Sequence, residues 1–244
     1  MTRLLLVAAS GLARETLASI RSSAPVGRHL AADGADEVMG FLDDDVSLHG
    51  TSVAGLPVLG GLDLAATRTE RLLVCAGSGR ARAAIVARLA TFGVGEERYA
   101  THIHPSAVIG DGSTFGAGSI VLAGCVLTGD VTLGRHTVLM PRTVLTHDDL
   151  LGDYVTCAAG TTLAGRVHVG SRAYLGMQAS VRQDVRVGED AVIGMGAVVL
   201  QDVPDAQTWA GNPAGPLRGT EPAGVVPSTE GALTRLIAMK GSRA

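Results

Sequence analysis

Residues 103–126 read IHPSAV IGDGST FGAGSI VLAGCV, and the same beat runs on to residue 204. Cut into sixes from Ile103, the chain yields seventeen consecutive hexads without a slip of register. Every lead residue, at 103, 109 and each sixth position up to 199, is Ile, Val, Leu, Phe or Cys. The fifth position is mostly small or branched, as at Ala107, Ser113, Ser119, Val131, Ala173 and Ala197, and the second is often Gly. A period of six fits neither a 3.6-residue helix nor one long strand. It fits a short strand followed by a corner, over and over. Lead and fifth residues lie four apart, so in extended backbone they share a face. Large aliphatics and small residues then alternate along the inside of a narrow prism. Glycine at the second position is expected to supply corner dihedrals that a Cβ opposes. The strands of a β-sandwich do not hold so strict a register.

Composition agrees with such a core. Of 244 residues, 46% are apolar but only 3% aromatic, and 33 are Gly, so the interior is built from aliphatics rather than rings. Twenty Lys and Arg face 23 Asp and Glu, a net charge of -3, which excludes a nucleic-acid binder that works by charge alone. No apolar run approaches the ~18 residues needed to cross a bilayer. The first apolar segment ends at Ala9, before Ser10-Gly11 and the charges of Arg14 and Glu15, and reads as a strand rather than a signal peptide. Three cysteines, Cys75, Cys125 and Cys157, form an odd set without a CxxC and fit reduced thiols in the cytoplasm.

The first hundred residues have a different grammar. Arg3–Ala9 reads as a buried strand, Ser10-Gly11 as a turn and Leu12–Ile20 as a helix. Val38–Leu42 is a second strand, ending in Asp43-Asp44-Asp45. Arg71–Ala76 is a third, followed by Gly77-Ser78-Gly79 and a helix near Arg80–Thr91. Alternation of this kind predicts a small parallel α/β domain. Ligands of such domains sit beyond the carboxyl ends of the strands, here at Ser10-Gly11, Asp43-Asp44 and Gly77. A helix N-terminus there can hold a diphosphate through its N–H groups.

The hexads resemble those of the hexapeptide-repeat acyltransferases. That resemblance implies a left-handed parallel β-helix in which three hexads make one triangular coil, residues 18 apart stack, and about five to six coils form. A closer resemblance spans 1–218. The α/β segment leads into Thr101-His102-Ile103-His104-Pro105-Ser106-Ala107, then into hexads carrying Thr146-His147-Asp148, then into Ala210-Gly211-Asn212-Pro213-Ala214. The order is similar to that of the NeuD/PglD-type sugar acetyltransferases. It implies a Rossmann-like domain over 1–101 that binds the nucleotide-sugar acceptor and a left-handed β-helix acyltransferase domain over 102–216. Residues 217–244 form a C-terminal extension, in which Ser228 is expected to cap a short helix through Met239.

Site roles follow from the same resemblance. Uridine diphosphate contacts fall on Ser10, Gly11, Leu12, Asp43, Asp44 and Gly77, although this branch carries His where Leu12 stands. His147 is implied as general base and Asp148 as the acid that tunes it. Gly165, 18 residues beyond His147, is implied as the amide that faces the acetyl carbonyl. Contacts to acetyl-CoA, the acyl donor, map to Thr156, Met177 and Met195, with His replaced by Thr at 156. The resemblance further implies a homotrimer with active sites between adjacent subunits and a small-molecule acceptor. It implies no membrane, nucleic-acid or metal partner.

The chemistry is coherent. Acyl transfer from a thioester needs a base near neutrality, which imidazole provides, a carboxylate to orient it, and an N–H donor for the oxyanion. The reading is therefore acetyl-CoA-dependent N-acetylation of an amino sugar. O-acetylation of a sialic-acid-type sugar, or acylation of a specialised-metabolite amine or alcohol, stays open. A zinc site would need three converging histidines, and His136, His147 and His168 occupy different hexad positions. Asp149 stands out: it takes the fifth, inward position, where an unpaired carboxylate is costly. Either the chain bulges there or the carboxylate is hydrogen-bonded.

Overall fold

In a computed structural model of the chain, residues 3–23 and 36–217 are described; the helix expected over 228–239 lies outside them. The sequence beyond Thr101 winds into a three-faced coil of parallel strands, most of them two residues long. Register is 18 up to Val199, as Val138 pairs with Thr156, Thr156 with Tyr174 and Tyr174 with Val192, and it shortens to 16 where Val192 pairs with Thr208. The first face contains Ile120–Val121, Val138–Leu139, Thr156–Cys157 and Tyr174–Leu175 within an eight-stranded sheet. The second contains Val126–Gly129, Val144–His147, Thr162–Leu163 and Ser180–Val181 in a six-stranded sheet. The third contains Thr132–Leu133, Leu150–Leu151 and His168–Val169 in a five-stranded sheet.

Lead residues from Val121 to Val199 are all buried and form one continuous core with the fifth-position residues. Each fully buried Val, Leu or Ile contributes ~1.5–3 kcal/mol gross. Trp209 closes one end of this core from the strand Thr208–Ala210, which pairs with Gly215–Pro216.

The corner dihedrals are not where the glycine pattern places them. Every fourth-position residue from Gly112 to Gly196 has positive φ, most of them non-glycine, including His136, Asp148, Tyr154 and Arg172. Second-position glycines such as Gly116, Gly134, Gly170 and Gly188 lack positive φ. A Cβ on any of them would collide with the backbone of the next coil. The glycines serve close stacking of coils, and the left-handed corner is imposed on whatever residue stands fourth.

Ahead of the coil lies a five-stranded sheet. Its strands are β1 (Arg3–Val7), β2 (Glu37–Leu42), β3 (Ser52–Val53), β4 (Leu56–Gly60) and β5 (Arg71–Val74), in the order β3-β4-β2-β1-β5. All neighbours are parallel except the β3–β4 hairpin, which the sequence reading does not contain. Helices α1 (Gly11–Ser22) and α2 (Gly79–Thr91) follow β1 and β5. Among the described residues no helix is long and apolar enough to cross a membrane.

The two parts share a core. Ile120 and Val138, on the outside of the first face, pack with Leu4, Leu6, Leu12 and Phe41. Arg82, from α2, is fully buried at this junction. Its Nε donates to the His136 carbonyl at 2.9 Å and its Nη1 to those of Ala76 (2.9 Å) and Gly77 (3.1 Å). Its Nη2 donates to Tyr154 O at 2.8 Å, Val155 O at 3.1 Å and Thr156 Oγ1 at 2.9 Å. Burial pushes the guanidinium down to about 10, so it stays charged at neutral pH, spread over neutral oxygens. Gly79 comes so close to the Tyr154 carbonyl that a Cβ would overlap it. Nearby, His136 lies between Tyr99, edge-on at 4.6 Å, and Tyr154, stacked at 5.3 Å. His102 Nε2 meets Ser19 Oγ of α1 at 2.8 Å.

Two outcomes are expected. Replacing Arg82 by Met strands several carbonyls at once, so urea denaturation should show a loss of about 3 kcal/mol, and Arg82→Lys should not restore it because a point charge cannot fork. A loss below ~1 kcal/mol would refute the clamp. Second, burial holds His102 and His136 down at about 4, against 6.5 for a free imidazole. Between these values the unfolded chain takes up protons that the folded chain refuses. Their contribution is therefore complete above about pH 6.5 and lost as the pH falls towards 4. Thermal melts across that window should show the decline, and it should be shallower in His136→Phe.

Candidate active site

His147 ends the strand Val144–His147, which is four residues long where most strands of the coil have two. The residue after it, Asp148, is a fourth-position corner with φ 60°. That left-handed turn swings the Asp148 carboxylate back onto its neighbour, and His147 Nδ1 lies 2.7 Å from Asp148 Oδ2. A carboxylate only accepts, so the contact assigns the proton to Nδ1 and leaves Nε2 with its lone pair free. Both side chains are more than half exposed, at 56% and 55%.

Gly165 lies directly under this imidazole. A Cβ at 165 would overlap His147 Cε1 and Nε2. The Gly165 N–H donates to no acceptor among the described residues. Imidazole and glycine amide therefore share one corner, one coil apart, with the 18-residue stacking between them. Next along this edge, Arg166 is held by Asp184 through Nε–Oδ1 at 2.6 Å and Nη2–Oδ2 at 3.0 Å. That pair lowers the Asp184 carboxyl. The sequence reading missed it, although oppositely charged residues 18 apart signal it, as they do for Arg135–Asp153 and Arg172–Asp190.

Asp149 does face inward, without a bulge, and is 1% exposed. Its Oδ2 accepts the Thr146 N–H and its Oδ1 the Val167 N–H, both at 2.9 Å. Burial pushes its carboxyl up to about 6, opposed by those two bonds and by His147. Its ionisation works against folding as the pH rises from about 4 through 6, the opposite sense to the two junction histidines.

The strand-end residues also gather. Ala9 N–H donates to Asp43 Oδ2 at 2.7 Å, which joins the ends of β1 and β2. Ser10 Oγ donates to the Cys75 carbonyl beyond β5 and accepts the Ala13 N–H as cap of α1. Asp44 accepts the Leu62 N–H at 3.2 Å and pairs with Arg88 at 3.2 Å. Gly11 and Gly77 are exposed, with open space where a Cβ would stand. The first turn of α1 carries no acidic residue.

Two of the residues expected at ligands are turned inward. Leu12 is 7% exposed and packs in the shared core, so its side chain lines no ligand pocket. Thr156 is buried at the junction, where its hydroxyl accepts from Arg82 and donates to the Gly77 carbonyl at 3.2 Å, so it offers no open face to a donor. Met177 and Met195 are exposed, at 48% and 77%.

The order of faces separates these groups. Met177 and Met195 lie on the edge between the first and second faces, and His147 and Gly165 on the edge between the second and third. The α/β part covers the first face, opposite the His147 edge. One chain thus brings the His147 imidazole and Gly165 together but holds the strand-end loops and the methionines elsewhere. Among the described residues no cluster of His, Cys, Asp or Glu could hold a metal ion.

No protein-family model matches the sequence, nor does any curated protein. Solved structures do. Perosamine N-acetyltransferase from Caulobacter crescentus, in complex with CoA and GDP-perosamine, is 28% identical with a TM-score of 0.77, over 89% of this chain and 97% of its own. The acetyltransferase domain of PglB from Neisseria gonorrhoeae, in complex with acetyl coenzyme A, is 28% identical with a TM-score of 0.75, over 88% and 98%. WeeI from Acinetobacter baumannii is 28% identical with a TM-score of 0.74, over 89% and 100%. The likeness runs through the α/β part and the coil alike, so the chain is similar over nearly its whole described length to sugar N-acetyltransferases of the hexapeptide-repeat type.

Proposed function

We propose that this enzyme transfers an acetyl group from acetyl-CoA to the amine of a nucleotide-linked amino sugar, with His147 as general base. The observation that carries the reading is the His147 imidazole, held by Asp148 with Nε2 free, directly over the Gly165 amide. The acceptor amine attacks the thioester carbonyl carbon while Nε2 takes its proton. The Gly165 N–H faces the oxyanion, the carbon–sulfur bond breaks, and the proton passes to the leaving thiolate. The Asp148 carboxylate steadies the imidazolium in between.

The donor's thioester arm runs along the edge of Met177 and Met195, whose flexible side chains suit an extended apolar ligand. The acceptor's diphosphate rests at the open N-terminus of α1, bounded by Ser10, Gly11, Asp43, Asp44 and Gly77. The start of α2 is closed to it by the Tyr154 carbonyl. These loops lie across the prism from the base, so a complete site combines edges of adjacent subunits in a homotrimer. Residues 1–101 act as a Rossmann-like acceptor domain and 102–216 as a left-handed β-helix. Three buried free thiols suit a cytoplasmic enzyme.

Purified protein with acetyl-CoA and a panel of nucleotide-linked amino sugars is expected to release free CoA with at least one of them. His147→Ala should cut that rate by about 10²–10⁴-fold while leaving acetyl-CoA affinity unchanged. The perosamine enzyme offers a parallel, since variants with one histidine replaced by Asn or Ala are complexed with both CoA and GDP-perosamine. Turnover unchanged in His147→Ala would sink the mechanism. Gly165→Ala pushes the imidazole off its seat and should cost ~10²-fold in kcat. A crystal structure of that variant would show the displaced ring.

A further inference from the structure

We propose that Asp149 is a positioning residue for acyl transfer: its buried carboxylate ties the strand that ends at His147 to the coil that begins at Gly165, and so fixes the gap between base and amide. The inference rests on the acyl-transfer reading above. Two observations carry it.

The first is that the fold does not ask for a carboxylate there. Elsewhere in the core the fifth position holds Val131, Thr143, Val155, Thr161, Val167, Ala173 or Val185, all buried. A Val at 149 would continue that column. An ionised carboxyl in an apolar interior is disfavoured, and its pKa is raised to about 6 by burial. A group that costs stability yet has both oxygens fully engaged is the kind of local exception that function retains.

The second is what the oxygens hold. In several other hexads the fifth-position N–H closes a turn onto the second-position carbonyl of its own hexad, as Thr143 does to Met140 at 3.3 Å and Thr161 to Ala158 at 3.1 Å, while in the column of Asp149 the Val131 N–H reaches Ser113 Oγ, a neutral hydroxyl one coil earlier, at 3.4 Å. At the corner that contains Gly165 the corresponding N–H, that of Val167, donates to Asp149 Oδ1 instead. The other oxygen holds the Thr146 N–H, next to His147. One carboxylate therefore spans the two coils that supply base and amide. The titratable and charged groups around it are His147 and Asp148 on its own turn and Cys157 in the core. Burial keeps the Cys157 thiol protonated. Below about pH 6 the carboxyl gains a proton, one amide loses its charged acceptor, and the tie loosens.

The test uses the full chain and its Asp149→Val variant. In the parent, log(kcat/KM) below pH 6 should fall more steeply than in Asp149→Val, by about one unit of slope for the proton that Asp149 takes up. At pH 8 the variant should lose at least ~10-fold in kcat with acceptor KM within ~2-fold. Amide exchange at Val167 should quicken by more than ~10-fold. If Asp149→Val fails to fold, Asp149→Asn keeps the shape and should give the same shallower slope. A variant with the parent's kcat and the parent's slope overturns the proposal. If the parent transfers no acyl group at all, the acyl-transfer reading fails by itself, and unchanged exchange at Val167 in the variant then overturns the tie independently.

Discussion

Everything in this molecule depends on the stacking of one coil on the next at 18 residues. Three strands and three corners must close in that length, and they do so because the lead and fifth residues point into one narrow core while the fourth takes a left-handed conformation. The consequence is that chemistry becomes columnar. A glycine column lets backbones touch, an aliphatic column fills the interior, and columns of opposite charge pair at the corners. The functional corner is one more such column. In the proposed site His147 stands over Gly165, set by the same spacing that pairs Arg166 with Asp184.

A rigid column suits acyl transfer. The base needs one tautomer, one orientation and a fixed distance to the oxyanion donor, and these are cheap to hold on a packed scaffold. The left-handed corner at Asp148 contributes directly, because it folds a neighbouring carboxylate onto Nδ1. Asp149, one residue on, faces the other way and reaches the backbone of both coils. Adjacent carboxylates thus have opposite environments, one open to solvent against the imidazole and one sealed in the core.

The junction of the two parts has its own logic. Arg82 draws together the loop after β5 and the corner at Tyr154, with no counter-charge and a full set of neutral acceptors. It makes the α/β part and the coil one unit. That unit keeps its strand-end loops on the first face and its base on the opposite edge. A scaffold this rigid does not bend to close that distance, which is why the proposed site is shared between subunits.

Much was legible from residues alone. The hexad register predicts short strands and corners around a narrow aliphatic core, because a strict period admits few packings, and the family resemblance adds the 18-residue pairing. The β-α pattern of the first hundred residues places strands and helices to within a few residues and brings Ser10, Asp43 and Gly77 to one end of a sheet. What the pattern could not give was anything decided by contact between distant segments. Glycine frequency suggested the wrong corner position, since crowding from the next coil is invisible in a single hexad. Leu12 and Thr156 matched ligand positions by alignment of motifs, yet the packing of α/β part against coil turned both inward. Arg82 looked like one more helix arginine, and Asp149 offered only an anomaly with two explanations. A linear pattern records which faces are apolar; which buried polar groups meet is settled only when two surfaces close on each other.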